Sequence, residues 1–329
     1  FGDHTGYYSL VGDYPVFHVT AVTHRKNPVY SATIVGRPPM EDCWLAKTTE
    51  RIFLPLLGAI LPEVRDFWMP WEGVFHNIVV AAIEKEYPGH ARRIMSAMWG
   101  QGQMSFSKAV ALVDHGVDLK SPRKVLETIL NELDPESDVF IAEGVLDVLD
   151  HSAPDPLFGS KIGLDATGRR ADERPRLRRP ETELPPPDAK KIEKSLKATS
   201  GLLASFHVPA IEVRNRVLLV NFAKDGKTPG RALCEKLLAK PALAPFSILV
   251  LFDAAIDLRD YSLVLWKLFN NVDPGRDLVR RNGRMAVDAT RKGPEDGHTR
   301  PWPDDIQMDP GVAREIENRA KELGIEQFL

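Results

Sequence analysis

The first apolar runs of the chain are short and rich in β-branched residues. They cover residues 16–25 and 29–35 and are separated by Lys26-Asn27-Pro28, which is a turn signal. This pattern predicts an antiparallel β-hairpin. The next segment differs, because residues 41–60 carry apolar side chains at helical spacing, which predicts a long helix that leaves the hairpin.

From about residue 72 the pattern alternates between strand and helix. Continuous apolar runs predict strands at 77–83, 109–113 and 139–143. Helical periodicity fills residues 89–98 and 122–133, and Ser121 is the expected N-cap of the second helix. Strands that alternate with helices at this spacing predict an α/β domain with a largely parallel sheet.

Residues 168–190 interrupt this alternation. Arginines at 169, 170, 174, 176, 178 and 179 mix here with Asp, Glu and Pro, and three prolines follow at 185–187. A basic patch for an anionic partner is one interpretation. The interleaved acids and the lack of aromatic residues favour an exposed, solvated linker instead.

The α/β pattern then recurs at a constant offset of 139 residues. Between Asp114 and Asp138, nine of 25 positions are identical to the residue 139 places later, without a gap. After a shorter loop, Asp165-Ala166-Thr167 matches Asp288-Ala289-Thr290. The match predicts that residues 191–329 form a second, degenerate copy of the module, followed by a C-terminal helix.

Composition sets only broad limits. The 329 residues are enough for about two domains, and 43% apolar with 27% charged residues is typical of a soluble globular protein. A net charge of −3 gives no reason to expect a nucleic-acid or membrane partner, and no apolar run reaches the length of a membrane span. Cys43 and Cys234 form neither a disulfide framework nor a zinc site, so a reducing, cytoplasmic location is expected.

Several short motifs, taken together and in order, resemble one enzyme family. They are Phe1-Gly2-Asp3-His4-Thr5-Gly6-Tyr7-Tyr8, Gly36-Arg37-Pro38-Pro39, Tyr87-Pro88-Gly89-His90-Ala91, Gly159-Ser160-Lys161-Ile162-Gly163-Leu164-Asp165-Ala166-Thr167 and Asp273-Pro274-Gly275-Arg276-Asp277. The order is similar to that of the UbiD decarboxylases, which add or remove CO2 on aromatic and unsaturated acids with prenylated FMN. The opening resembles the second half of that family's acidic signature, whose first Glu would lie three residues before Phe1. We therefore expect this chain to be the C-terminal part of a longer enzyme.

The resemblance implies an α/β fold with a defined domain order. Residues 1–40 would be the last strands of a split β-barrel that binds flavin, and residues 41–71 the helix connecting it to the next domain. Residues 72–167 would form the UbiD-like C-terminal α/β domain, 168–190 a linker and 191–329 the second module. Both repeated modules are expected to have mostly parallel sheets.

Asp3 is the catalytic residue that the resemblance implies. Decarboxylation leaves carbanion character on the former α-carbon, and a nearby carboxylic acid must then deliver a proton. Two carboxylates in a water-poor pocket repel each other, so that one stays protonated near neutral pH. The partner Glu and the Arg that orients the substrate would lie outside this chain. Without the resemblance, Asp3 would be interpreted as a solvated terminal acid.

The resemblance also implies substrate-pocket roles for His4, Asp42, Ala46, Leu157 and Phe158. His4 follows Asp3 and could tune it or be structural. Asp42 and Ala46 lie four residues apart on one helix face, although acids in a first helical turn are ordinarily dipole partners. Leu157 and Phe158 precede Gly-Ser-Lys in a loop that closes over the substrate in related enzymes, or they are ordinary apolar anchors.

Gln101 and Gln103 are the expected cofactor-binding residues, because their loop approaches the flavin pocket in relatives. The sequence Gly100-Gln101-Gly102-Gln103 is not a dinucleotide fingerprint and follows a helix, so a Rossmann site is rejected. The implied cofactors are prenylated FMN, Mn2+ and K+, with their principal ligands outside this chain and no metal ligand assigned within it. The second module has Leu243-Ala244-Pro245 at this loop and no Gly-Ser-Lys, so it is expected to be structural.

The predicted function is part of a UbiD-type non-oxidative (de)carboxylase that acts on an aromatic or polyprenylated aromatic acid, with a role in quinone biosynthesis. Family likeness also implies a homo-oligomer formed through the C-terminal region and a flavin prenyltransferase that supplies the cofactor. The alternative is a non-catalytic module for oligomerisation or interdomain closure, or a partner subunit that needs a separate flavin-binding half. In either case the isolated chain is expected to release no CO2.

Overall fold

A computed structural model of the chain describes residues 1–176 and 186–328. In chain order the elements are α1 Asp42–Ile60, β1 Val64–Trp68, β2 Ile78–Ile83, α2 His90–Trp99, β3 Ala109–Asp114, α3 Pro122–Glu132, β4 Val139–Val145, β5 Phe158–Asp165, α4 Ala189–Lys197, β6 Leu203–His207, β7 Val217–Phe222, α5 Gly230–Leu238, β8 Ile248–Asp253, α6 Tyr261–Asn271, α7 Pro274–Asp277, β9 Leu278–Arg281, β10 Arg284–Asp288, α8 Pro310–Asn318 and α9 Ala320–Leu323. Short 3-10 turns at Trp71–Gly73, Gly102–Phe106 and Pro241–Leu243 connect some of them. The long helix, the three strands from 77 to 143 and the Ser121 cap are thus confirmed to within a few residues.

The strands form two five-stranded mixed sheets. Their strand orders are β1-β2-β3-β5-β4 and β6-β7-β8-β10-β9. In each sheet the two inner pairs are parallel and the two outer pairs are antiparallel. The predicted α/β class is confirmed, but the expectation of mostly parallel sheets is wrong. A parallel neighbour needs a crossover connection, whereas β4 returns to β5 through residues 146–157 without a helix and pairs with it antiparallel.

The two sheets correspond element by element. Strands β1, β2 and β3 and helix α3 begin and end 139 residues before β6, β7, β8 and α6. After the connections that close each sheet, β5 ends at Asp165 and β10 at Asp288. We call residues 64–176 the first unit and residues 189–298 the second unit.

One hydrophobic cluster joins the two units. Leu130, Leu133 and Val139 of the first unit pack with β8 residues Ile248 and Val250 of the second. Burial of apolar surface at about 25 cal/mol per Å2 makes such a shared cluster a source of interdomain stability. The two units are therefore packed against each other rather than merely linked.

Residues 10–34 form no strand. The chain bends at Asn27, where φ is 53°, as the turn signal predicts. No ladder joins residues 16–25 to 29–35, and Phe17 and Tyr30 are 88% and 92% exposed. The predicted hairpin is therefore wrong for the described chain. A two-stranded hairpin is marginal by itself, and no described strand or helix covers the apolar side chains of this one.

The first part of the predicted linker is anchored to the first unit. Arg176 is 8% exposed and pairs with Asp138 at 2.5 Å and with Glu132 at 2.7 Å, and Glu173 pairs with Lys85 at 2.7 Å. Residues 170–172, 174 and 175 are exposed, whereas Glu173 and Arg176 have partners in the first unit that a local pattern does not reveal, and the linker stays a prediction. Residues 177–185, with Arg178 and Arg179, lie outside the described residues.

None of the helices in the two described ranges has the length and apolar character needed to cross a membrane.

Candidate functional site

Asp3 lies in a tight turn near the start of the chain. Its N–H donates to the carbonyl of Tyr7 at 3.1 Å, and its carbonyl accepts from the N–H of Gly6 at 3.0 Å. Gly6 has a φ of 84°, and a Cβ there would lie 2.6 Å from the ring of Trp266. The turn therefore requires glycine and is held against helix α6 of the second unit.

The two carboxylate oxygens of Asp3 have different surroundings. Oδ1 accepts hydrogen bonds from the backbone N–H of His4 at 2.8 Å and from His4 Nδ1 at 2.9 Å. Oδ2 accepts one longer hydrogen bond, from the Ser9 hydroxyl at 3.3 Å. The side chain of Asp3 is 22% exposed, so it is largely but not completely withdrawn from water.

His4 is held between two rings from the first unit. It stacks on Phe75 with centroids 5.6 Å apart and planes 11° apart, and it meets His76 edge-on at 5.3 Å. The two Nε2 atoms of His4 and His76 are 3.2 Å apart. Burial lowers the pKa of His76 to about 4, and the nearby His4 acts in the same direction. His76 is therefore neutral near pH 7.

An unusual backbone turn presents Phe75 and His76 to the N-terminal segment. Val74 and Phe75 have φ values of 46° and 73°, a conformation that costs non-glycine residues about 1–3 kcal/mol each. Val74 is fully buried against Tyr7 and Trp266. Contacts with the second unit thus hold a strained turn beside Asp3.

Helix α6 also holds both sides of that turn by hydrogen bonds. Asn270 Oδ1 accepts from Asn77 Nδ2 at 2.8 Å, and Asn270 Nδ2 donates to the carbonyl of Glu72 at 3.3 Å. Asn270 is buried, so these bonds are shielded from competing water.

A buried ion pair that the sequence did not single out lies close to His76. Lys108 Nζ is 2.7 Å from Asp150 Oδ2 and donates to the Ser152 hydroxyl at 2.8 Å. Burial by itself would raise the pKa of Asp150, but the Lys108 ammonium and the hydrogen bonds from Ser152 hold that pKa well below its usual range. The sequence signal that could have revealed this pair is a lysine placed directly before an apolar strand.

A second buried network ties the N-terminal segment to the second unit. The Tyr7 hydroxyl donates to Asn271 Oδ1 at 2.8 Å and accepts from Lys267 Nζ at 3.2 Å, and Lys267 pairs with Asp305 at 2.7 Å. His151 Nε2 lies 3.5 Å from the same Asn271 oxygen, and burial lowers the pKa of His151 to about 3. Tyr7 thus links the turn that contains Asp3 to both units.

A small cavity of about 50 Å3 adjoins these networks, with Tyr7, Ser9, Asp150, His151 and Arg300 among its lining residues. Small-molecule sites are ordinarily clefts of about 300–1,000 Å3. This cavity by itself does not enclose an aromatic acid or a flavin.

The other predicted site residues lie in several environments. Asp42 is half-buried at the first position of α1, whereas Ala46 is buried in the core of the first unit. Leu157 and Phe158 are exposed at the start of β5. Gln101 is half-buried and Gln103 exposed at the 3-10 turn Gly102–Phe106. Of the eight predicted residues, the structure joins Asp3 and His4 by a hydrogen bond; the roles of all eight stay predictions.

Lys161 of the Gly-Ser-Lys motif fixes the turn next to the two glutamines. Its Nζ donates to the carbonyls of Ser105 and Ser107, each at 2.8 Å. Burial lowers the pKa of Lys161 to about 8. This lysine therefore holds the backbone of the predicted cofactor loop from within the unit.

Over residues 1–176 and 186–328, no group of three or more His, Cys, Asp or Glu side chains is arranged to hold a metal ion.

Two family models match the chain. The 3-octaprenyl-4-hydroxybenzoate carboxy-lyase Rift-related domain matches residues 1–38. The C-terminal domain of the same carboxy-lyase matches residues 43–166 and 191–298, which include most of both units.

The chain spans about half the length of the curated relatives it matches. An uncharacterised protein of Helicobacter pylori strain J99 is 35% identical over 329 residues, which is 100% of this chain and 51% of that protein. An uncharacterised protein of Archaeoglobus fulgidus is 50% identical over 174 residues, 53% of this chain and 36% of that protein.

Solved structures of UbiD-class proteins are also similar to part of the chain. The enzyme HmfF from Pelotomaculum thermopropionicum in complex with FMN is 28% identical over 55% of this chain and 41% of its own, with a TM-score of 0.44. Vanillic acid decarboxylase of Sedimentibacter hydroxybenzoicus in its open form is 27% identical over 54% of this chain and 37% of its own, with a TM-score of 0.43.

Proposed function

The chain belongs to the UbiD family of 3-octaprenyl-4-hydroxybenzoate carboxy-lyases, and from this premise we propose that it is part of a non-oxidative (de)carboxylase with Asp3 as proton donor. The substrate class is an aromatic or polyprenylated aromatic acid, and the cofactor is prenylated FMN. The observation that carries the proposal is the asymmetric setting of the Asp3 carboxyl group, which leaves one oxygen largely free.

The asymmetry assigns different tasks to the two oxygens. Oδ1 is engaged by two donors from His4, which fixes the orientation of the carboxyl group. Oδ2 has one hydrogen bond of 3.3 Å, so Oδ2 is the oxygen that would carry and release the proton.

Prenylated FMN, Mn2+ and K+ enter the proposal through family membership alone. The cavity of about 50 Å3 beside Tyr7 is too small for a flavin, and the described residues form no cluster of metal ligands, so no step is derived through these groups. Gln101 and Gln103 are proposed to approach the flavin from the turn that Lys161 fixes. The role in quinone biosynthesis, the flavin prenyltransferase and the cytoplasmic location stay predictions.

The domain organisation is part of the same proposal. Residues 1–40 are proposed to complete a split β-barrel with a segment outside this chain. The support is the match of residues 1–38 to the Rift-related domain and the exposed apolar side chains of Phe17 and Tyr30. Residues 41–71 and 168–190 would connect the domains. The equal strand order and the constant offset of 139 support duplication of the α/β module between 72–167 and 191–329.

The test is Asp3→Asn in flavin-loaded enzyme that contains this chain, assayed for CO2 release from hydroxybenzoate- and naphthoate-type acids. We expect kcat to fall by about 100-fold or more, since general acid catalysis contributes about 10²–10⁴-fold. Asp13→Asn is the matched control, because Asp13 is an exposed carboxylate of the same segment, and it should leave kcat unchanged. Retained kcat in Asp3→Asn would refute the assignment.

The alternative is a non-catalytic module for oligomerisation or interdomain closure, or a partner subunit that needs a separate flavin-binding half. Both readings predict that the isolated 329-residue chain releases no CO2, and measurable release would contradict both. Denaturing mass spectrometry of the protein as isolated from its source separates them. A polypeptide well above 36.8 kDa with prenylated FMN supports the enzyme, whereas a bare 36.8 kDa chain supports the module.

We also propose a homo-oligomer through the C-terminal region. Helix α8 buries none of its side chains, and Val312 and Ile316 expose apolar surface one turn apart. Light scattering of Val312→Asp should give a smaller particle than the wild type, while Glu317→Gln, on the same helix, should not. An unchanged mass in Val312→Asp would argue against this contact.

A further inference from the structure

The hydrogen-bonded pair of His4 and His76 constrains where the protons lie. Asp3 Oδ1 lies 2.9 Å from His4 Nδ1 and accepts whether the carboxyl group is ionised or carries its proton on Oδ2, so His4 Nδ1 carries the hydrogen. In the neutral imidazole, His4 Nε2 then has a lone pair. His76 Nε2 lies 3.2 Å from that lone pair and must donate to it.

His76 can donate because it is itself neutral near pH 7. Burial lowers its pKa to about 4. With the hydrogen on Nε2, its Nδ1 has a lone pair, and this buried atom has no hydrogen-bond partner among the described residues. Moving the hydrogen to Nδ1 would leave a buried donor unsatisfied, which is the costlier arrangement.

We propose that His76 is a positioning residue that holds His4 as the neutral Nδ1–H tautomer and so keeps an imidazolium away from Asp3. A proton can add to His4 only at Nε2, where the N–H of His76 already points. An imidazolium beside a carboxyl group favours its ionised form, which cannot donate a proton. The importance of this for Asp3 rests on the proposed function, whereas the tautomer does not.

The groups that face the pair are consistent with this arrangement. The charges of Asp147 and Asp150 in the first unit raise the pKa of His76, and the charge of Lys108 lowers it. Asp150 is already engaged by Lys108 and by Ser152, so it is not free to accept a proton from either ring. The strained turn at Val74 and Phe75 fixes the position of His76, and the Phe75 ring covers one face of His4.

The test reads the tautomer directly in the 329-residue chain, labelled with 15N at histidine. At pH 7, long-range 1H–15N correlations of His4 should show hydrogen on Nδ1 alone in the wild type. His76→Gln should keep that pattern, because the glutamine amide N–H can donate near the former position of Nε2. His76→Leu should lose it and give mixed tautomers or an imidazolium. An unchanged His4 pattern in His76→Leu, or hydrogen on His4 Nε2 in the wild type, would overturn the proposal.

A second measurement needs no variant and remains decisive if His76→Leu fails to fold. A 15N–15N coupling across the hydrogen bond between the two Nε2 atoms is expected in the wild type, and its absence would contradict the pairing. Phe75→Leu is the control for ring packing and should keep the tautomer. Failure of the proposed function can be told apart from failure of this proposal. In the first case Asp3→Asn retains turnover, while His4 of the wild type still carries hydrogen on Nδ1 alone.

Discussion

The two units share a buried ionic framework but differ in the loops that surround it. In both, a lysine, several aspartates and a second basic residue meet at the carboxyl ends of the central strands, although the second basic residues, Arg169 and Lys292, differ in part of their pairing. The equivalent residues are Lys85 and Lys224, Asp114 and Asp253, Asp138 and Asp277, Asp165 and Asp288, Arg169 and Lys292, and Glu173 and Asp296. Buried charges are costly unless they are paired, so this framework constrains both copies.

The difference lies in the connection that closes each sheet. Strands β9 and β10 are joined by Asn282-Gly283, both with positive φ, which is a tight hairpin turn. Strands β4 and β5 are joined by residues 146–157, which contain Asp150 and His151. Position 108 is lysine in the first unit, and the residue 139 places later is Ser247. The comparison teaches that the framework is common to both units, whereas Lys108, Asp150 and His151 have no counterpart in the second unit.

Lys161, which fixes the 3-10 turn Gly102–Phe106, shows both a feature that the two units share and a difference between them. Lys161 has its counterpart in Arg284, which donates to the carbonyls of Leu238, Leu243 and Phe246. The second unit lacks a Gly-Ser-Lys sequence. It nevertheless keeps a buried cation that donates to backbone carbonyls, as Lys161 does in the first unit. The two cations differ in that only lysine loses its charge within the ordinary alkaline range.

The largest expected effect comes from breaking the framework in the second unit. Lys292 has no exposed side-chain surface, and its Nζ donates to the carbonyls of Asp288 at 2.8 Å and Thr290 at 2.6 Å. Lys292→Met should lower the free energy of unfolding by about 3–5 kcal/mol, because it removes the cation paired with buried Asp288 and leaves two buried carbonyls without their donor, although Asp277 keeps Arg276. The matched change Arg169→Met should cost less than about 2 kcal/mol, since Arg169 is partly exposed and Asp138 keeps Arg176. Urea unfolding measures both, and an equal or larger loss in Arg169→Met would contradict the argument.

The prediction of intermediate size distinguishes Lys161 from Arg284 by the way the free energy of unfolding depends on pH. Burial lowers the pKa of Lys161 from 10.5 to about 8, so between these values the unfolded chain binds more protons than the folded one. Stability from this group should therefore rise with pH from about 8 to 10.5, by at most about 1.4 kcal/mol per pH unit. Lys161→Arg should remove this slope, and Lys190→Arg, at an exposed position, should not. The free energy of unfolding is measured with urea across this pH range. The same pH dependence in wild type and Lys161→Arg would refute the prediction.

The smallest effect concerns the caps of the equivalent helices α3 and α6. Asp260 Oδ1 accepts from the N–H of Leu263 at 3.0 Å and its Oδ2 pairs with Arg37, whereas Ser121 Oγ accepts from Lys124 at 3.4 Å. Asp260→Ala should cost about 1–2 kcal/mol and Ser121→Ala about 0.5 kcal/mol. Thermal unfolding of the two variants checks the order, and a larger loss in Ser121→Ala would reverse it.

Some features could be predicted because they depend on neighbours in sequence. Helix α1 and strands β2 and β3 follow apolar periodicity, and the cap at Ser121 follows local side-chain chemistry. The dipeptide Asn282-Gly283 is an equally local signal for the hairpin between β9 and β10. At the candidate site, the adjacency of Asp3 and His4 is likewise a property of the sequence.

Other features depend on residues far apart in the chain. The sequence pattern did not reveal that Arg176 pairs with Asp138, that His76 meets His4, or that residues 16–35 lack a covering partner in the described chain. A charged residue in a polar segment has the same local pattern whether its partner is a buried acid or water. The hairpin was therefore predicted where the described residues have none, and the buried pairing of Arg176 was not predicted.

By itself the sequence determined the family, the α/β class, the main helices and strands and the candidate proton donor, because motifs, periodicity and caps are written in short stretches of residues. The tertiary structure alone decided the mixed direction of the sheets, the paired ionic frameworks and the strained turn that brings His76 to His4. These require distant chain segments to meet, as Asn270 does with Glu72, which lies 198 residues earlier. Their energies come from burial and pairing, and those exist only once the units have packed.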